Sequence, residues 1–135
     1  MNSPKRHILY IEDHEDTREL ITLVLKQKNC EVTTAATVQN GIELANEGNF
    51  DLYLLDSWLP DGSGLDLCKR IREFDQRTPI LFYSAAAYEV DKDLAMSSGA
   101  QGYLIKPSQT SELCDLVIML IDEAANHTHS AVQRA

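Results

Sequence analysis

Several functional classes are set aside by what this chain has little of. Cysteine is scarce: 135 residues hold three, Cys30, Cys68 and Cys114. Their odd number, wide spacing and lack of a Cys-x-x-Cys pair argue against a disulfide framework and a clustered zinc site. They read as small buried hydrophobes with free thiols in a reducing compartment. Long hydrophobic runs are also missing. The basic start Met-Asn-Ser-Pro-Lys-Arg-His leads into an apolar stretch too short for a signal-peptide core or a membrane span, so a cytoplasmic location without membrane insertion is expected. Positive charge is in deficit. Against 21 Asp and Glu stand 12 Lys and Arg, a net charge of −9, which disfavours direct binding to nucleic acid or to an anionic membrane. There is no internal repeat and no long low-complexity segment. A chain of this length fits one domain that buries roughly two thirds of its unfolded surface.

What the chain does have is four short apolar runs, each ending in a charged or hydroxyl residue. They are His-Ile-Leu-Tyr-Ile-Glu12-Asp13, Asp-Leu-Tyr-Leu-Leu-Asp56, Pro-Ile-Leu-Phe-Tyr-Ser84 and Gly-Tyr-Leu-Ile-Lys106-Pro107. Near-continuous runs of this length suit strands buried on both faces. In an open parallel sheet the carboxyl ends of such strands form the binding crevice, so three carboxylates, a hydroxyl and an amine are expected on one edge.

Helical and strand patterns alternate five times, the mark of βα units. Strands are expected near residues 7–12, 31–35, 51–56, 79–84 and up to Ile105, the second being a polar edge strand. Helices are expected near 16–28, with Leu20, Leu23 and Val24 as the core stripe and Asp16 or a neighbour as cap, and near 38–47, ending at Gly48. A loop over residues 57–64 precedes a helix with Leu67, Ile71 and Phe74 on one face. The fourth helix spans about 88–98 and stops at Gly99. The last carries Leu113, Leu116, Val117, Leu120 and Ile121 toward the core. The folded region is expected over 5–125, with residues 126–135 a polar, loose tail.

Each strand-end residue also has a plain structural explanation: Glu12 and Asp13 as helix caps, Ser84 bonding to its own loop, Lys106-Pro107 as a strand terminator. Asp56 shifts the balance. If the first and third strands are neighbours, as in the flavodoxin-like order 2-1-3-4-5, three carboxylates meet, which is unfavourable unless cations join them. Lys106 and one divalent ion cancel the three negative charges. All-oxygen ligands with room for water suit Mg²⁺. Asp56 is then the candidate nucleophile for a phosphoryl group, with Ser84 and Lys106 placed to compensate the added charge.

Taken together, the acidic pair, Leu-Leu-Asp56 followed by Pro60 and Gly64, Ser84, and Gly99-Ala100-x-x-Tyr-Leu-x-Lys106-Pro107 resemble the receiver domain of two-component response regulators. The resemblance covers about residues 5–125. It implies a (βα)5 flavodoxin-like three-layer α/β sandwich with sheet order 2-1-3-4-5. It further implies a switch phosphorylated on Asp56 by a histidine kinase or histidine phosphotransfer protein. Mg²⁺ would be bound by Asp13, Asp56 and the backbone carbonyl of Trp58, with Glu12 acting through water. Ser84 and Tyr103 would be switch residues, and the face of helix four, strand five and helix five would change its partners. Kinase, downstream protein target and any phosphorylation-dependent homodimer stay open. Such a domain is not an enzyme beyond promoting its own phosphorylation and dephosphorylation.

Two departures stand out. Trp58 is bulky for a position two residues after the acceptor, and Ser108 replaces an aromatic often found after the Lys-Pro pair. A phosphohydrolase of the haloacid dehalogenase type would need an aspartate where Trp58 stands. A flavin carrier would need hydroxyls and free N–H groups where Glu12 and Asp13 stand. The remaining alternative is a receiver-fold binding module that works without phosphorylation.

Overall fold

The computed structural model describes residues 5–134, with side chains described through residue 126. Strands β1 (Arg6–Ile11), β2 (Cys30–Ala35), β3 (Leu52–Leu55), β6 (Ile80–Ser84) and β7 (Gly102–Ile105) form one parallel sheet in the order β2-β1-β3-β6-β7. Helices α1 (Glu15–Lys26), α2 (Val38–Glu47), α3 (Gly64–Arg72), α4 (Glu89–Ser97) and α5 (Thr110–Arg134) follow the sheet strands in turn, α3 after a short hairpin. That is the flavodoxin-like (βα)5 order expected from the sequence, with the polar β2 on an edge.

The two-residue period of a strand explains the layers. Ile8 and Tyr10 of β1 enter a core with Leu52, Leu54, Leu81 and Tyr83 under α1 and α5. Leu9 and Ile11 enter the opposite core with Tyr53, Leu55, Phe82, Leu67 and Ile71. Both faces are covered, so these strands carry no polar alternation. All three cysteines are free and buried within these layers.

Three local expectations are corrected and one is narrowed. In α1 the buried residues are Ile21 and Leu25, with Val24 beside them, while Leu20 and Leu23 face solvent at 54% and 56% exposure. The pattern Ile21, Val24, Leu25 has the same i, i+3, i+4 spacing one residue later, so periodicity alone did not fix its phase. Of the cap expected at Asp16 or a neighbour, the structure picks His14, whose Nδ1 accepts from Thr17 N at 3.2 Å. Residues 57–64 are not only loop: β4 (Trp58–Leu59) and β5 (Gly62–Ser63) pair antiparallel as a small hairpin. Phe74 lies past the end of α3 and is exposed, because the chain leaves the helix at Arg72.

The α5 backbone is helical through Arg134, beyond the expected domain end near 125, and Ala135 lies outside the described residues. Among the described residues no helix is long and apolar enough to cross a membrane.

Candidate functional site

Backbone hydrogen bonds at the carboxyl edge of the sheet bring the charged residues together. Glu12 N donates to Ala35 O at 3.0 Å, Asp56 N to Ile11 O at 3.1 Å and Lys106 N to Ser84 O at 2.8 Å. The register Ile11 to Leu55 places Glu12 and Asp56 one step past paired residues on adjacent strands. Ligand oxygens of Glu12, Asp13 and Asp56 fall within 4.8 Å of one another. Lys106 reaches across from β7, with Nζ 2.5 Å from Glu12 Oε1 and 3.6 Å from Asp56 Oδ1. The Lys106–Pro107 peptide is cis.

Burial makes these charges matter. Glu12 is 1% exposed and Asp56 7%. Burial pushes the Asp56 carboxyl up, and the Glu12 charge adds to this against the pull of Lys106, giving a value of about 6. Burial acts on Glu12 in the same direction. There it is overcome by the Lys106 ammonium and the His14 N–H, which donates to Oε2 at 3.2 Å, so Glu12 is held below the usual carboxylate range. Tyr10, pushed up chiefly by burial and then by Glu12, stays a phenol and donates to Glu12 Oε1 at 3.4 Å.

The two neighbouring carboxylates are thus tuned apart. Glu12 is the standing counter-ion of Lys106. Of these two, Asp56 is the less neutralised and gains more from an added cation. Three carboxylates against one ammonium leave two negative charges, which is what an oxygen-ligated divalent ion requires, and among the described residues the cluster itself consists of carboxylates alone. The donor set therefore fits Mg²⁺.

Asp56 accepts from its neighbour, Ser57 N to Oδ1 at 2.8 Å. A cleft of about 650 Å³ opens above it, lined by Asp13, His14, Thr17, Trp58, Ala85 and Lys106 among others. The Trp58 ring, 66% exposed, stands at its rim. Ser84 is fully buried at the end of β6, and its Oγ accepts from Ala86 N at 3.0 Å. Tyr103 stacks on Phe82 with ring centroids 5.8 Å apart and donates to Ala86 O at 2.6 Å. Ser84 and Tyr103 therefore grip the same residue of the β6–α4 loop from two sides.

Two contributors escaped the sequence reading, and a third was visible without its contact. Arg18 donates to Glu12 O at 2.9 Å, tying α1 to the acidic loop. His14 caps α1 within the cleft wall, a role with no consensus signature because histidine is an uncommon cap. Gly64 lets α3 start against the end of β3: a Cβ there would lie 2.1 Å from Asp56 O and 2.9 Å from the Phe82 ring. The Gly following Asp56 was visible, but not the contact that requires it.

Comparison with known proteins points one way. A family model described as response regulator receiver domain matches residues 8–118. The chain is 38% identical over 106 residues to the transcriptional regulatory protein DltR of Streptococcus agalactiae, covering 78% of this chain and 47% of that protein. It is 36% identical over 109 residues to the uncharacterised transcriptional regulatory protein YkoG of Bacillus subtilis, covering 81% and 48%. The chain thus spans about half the length of these curated relatives. Among solved structures, the non-phosphorylated HemR receiver domain of Leptospira biflexa matches with a TM-score of 0.81 and 32% identity, covering 87% of this chain and 94% of that one. A CheY-like receiver domain protein from Methanospirillum hungatei JF-1 shares the fold at a TM-score of 0.87 and 23% identity, covering 91% and 98%.

Proposed function

The chain belongs to the response regulator receiver domain family, a class of signalling domain, and from that premise we propose that it is a phosphorylation-activated switch with Asp56 as the acceptor. The observation that carries this reading is the unequal treatment of the two buried carboxylates. Glu12 is neutralised by Lys106 at 2.5 Å, while Asp56 stands open to the cleft with its charge poorly compensated.

In the proposed reaction an Asp56 carboxylate oxygen attacks the phosphorus of a phosphohistidine on a histidine kinase or phosphotransfer protein. The P–O bond forms as the P–N bond breaks, and the leaving imidazole takes up a proton. Mg²⁺, held by Asp13, Asp56 and the Trp58 backbone carbonyl with Glu12 acting through water, would supply positive charge toward the phosphoryl oxygens. Lys106 Nζ balances the charge that the acyl phosphate adds, from its position between Glu12 and Asp56.

The new anion then competes for the Ser84 hydroxyl. As Ser84 turns toward a phosphoryl oxygen it gives up the Ala86 N–H, and the loop that Tyr103 also holds is released to move. Tyr103, already packed on Phe82, moves with that loop as a switch residue and the face of α4, β7 and α5 repacks, a two-state equilibrium biased by phosphorylation. Val90, Leu94, Ile105 and Met119 leave apolar surface on these elements, which supports a protein partner there. The cytoplasm, where a kinase would meet it, is the proposed location.

The test follows Trp58 fluorescence and the amide spectrum of α4, β7 and α5 while Mg²⁺ and then acetyl phosphate are added. Shifts that reach this face in wild type and are lost in Asp56→Asn are expected. Phosphorylation that leaves the face unchanged would instead favour a module that binds without regard to phosphate.

A further inference from the structure

The hairpin that carries Trp58 is held at three places, its base, its first strand and its tip. At its base Gly64 packs on the main chain of Asp56, with its N–H donating to Ser57 O at 2.9 Å. In its first strand Leu59 is buried in the core beside α2 and α3. At its tip the exposed Asp61 reaches back to the start of α2. There Oδ1 accepts from Val38 N at 2.7 Å and Oδ2 from Gln39 N at 3.0 Å.

Helix α2 already has a cap of its own, since Thr37 Oγ1 accepts from Asn40 N at 3.1 Å. Asp61 adds a two-point, charge-assisted grip on the two amides Thr37 leaves free. Those amides hold its carboxyl below the ordinary range, so the grip is ionised at neutral pH. Only two residues, Pro60 and Asp61, separate the paired Leu59 and Gly62, so a fixed tip constrains the strand that follows Asp56. The Trp58 ring is too exposed to hold its own main chain by packing.

We infer that Asp61 is a positioning residue of the cleft: by locking the hairpin tip to the first turn of α2, it fixes the Trp58 carbonyl and the Ser57 N–H beside Asp56. The inference rests on the reading above for its link to metal binding, and on geometry alone for its effect on the hairpin. Asp61 touches neither metal nor phosphoryl group and acts through Ser57 and Trp58.

Thr37 supplies the control, because Thr37→Ala weakens the same helix start without touching the hairpin. Wild type, Asp61→Ala, Asp61→Asn and Thr37→Ala are compared in two measurements. One is amide exchange over residues 57–64 without metal. The other is Mg²⁺ titration by Trp58 fluorescence in 0.5 M KCl, where loss of a remote charge is screened. Asp61→Ala is expected to speed exchange at Ser57 and Trp58 about tenfold and to weaken Mg²⁺ binding by about tenfold, as removal of an orienting partner does. Asp61→Asn, which keeps one acceptor oxygen, should fall between it and wild type. Thr37→Ala should leave both readouts within about twofold while lowering Tm.

If Asp61→Ala matches Thr37→Ala in both measurements, Asp61 is a helix cap only and the inference is overturned. If wild type itself gives no Mg²⁺ response, the metal reading fails. The inference is then upheld or overturned by whether Asp61→Ala alone speeds exchange at Ser57 and Trp58.

Discussion

Replacing Asp56 by asparagine should make the metal-free protein more stable at neutral pH. Asn keeps the shape of the side chain and an oxygen to accept the Ser57 N–H, but it removes a buried charge that Lys106 compensates only at 3.6 Å. The magnitude comes from linkage. The Asp56 carboxyl rises from 3.8 to about 6 on folding, and each tenfold change in proton affinity is worth about 1.4 kcal/mol, so the ionised group costs the folded state about 3 kcal/mol.

The sign is set by which state ionises first. Below pH 3.8 both folded and unfolded chains hold the proton, and the variant gains nothing from this source. Between about 3.8 and 6 the unfolded chain is ionised while the folded one keeps its proton, so the folded wild type loses stability as pH rises, and the loss levels off above about 6. The difference between variant and wild type should therefore grow from near zero at pH 4 to about 3 kcal/mol at pH 7.5, or roughly 10 °C in Tm for a domain of this size. Urea denaturation of both proteins in EDTA between pH 4 and 8 measures it. A difference that is flat with pH, or a variant less stable at pH 7.5, would refute the electrostatic account of Asp56.

Three other perturbations read other parts of the site. Lys106→Met strands Glu12, 1% exposed, without its cation and should cost about 3 kcal/mol by urea denaturation, most of it recovered when Glu12→Gln is added. Gly64→Ala drives a Cβ to 2.1 Å from Asp56 O and should destabilise by about 3 kcal/mol or fail to fold, whereas Gly48→Ala, with open space around its Cβ, should cost only the strain of its positive φ. Tyr103→Phe keeps the stack on Phe82 but loses the bond to Ala86 O, so a loss of about 1 kcal/mol and faster amide exchange in the β6–α4 loop are expected.

The strand order and the strand-end cluster were legible because both follow from local pattern plus one topological rule. Ile8 to Ile11, Leu52 to Leu55 and Ile80 to Tyr83 are apolar without alternation, which signals a sheet covered on both faces. Once β1 and β3 are neighbours, the positions of Glu12, Asp13 and Asp56 follow.

The phase of α1 was not legible, since Leu20 and Leu23 form as good a stripe as Ile21 and Leu25 until the sheet chooses a side. Contacts to distant main chain leave no pattern at all. Asp61 on the amides of α2 is one case. Arg72 is another, its guanidinium donating to Gly99 O, Asp75 O and Thr78 O at 2.8 to 3.1 Å. Such partners are backbone carbonyls and amide N–H groups, identical at nearly every residue, so only the fold reveals which is used.

The measurement that bears most directly on the central claim is intact mass after incubation with acetyl phosphate and Mg²⁺, beside Asp56→Asn and a Mg²⁺-free control. Addition of one phosphoryl group that requires both Asp56 and Mg²⁺ is the predicted result. No adduct on wild type, or the same adduct on Asp56→Asn, would contradict it.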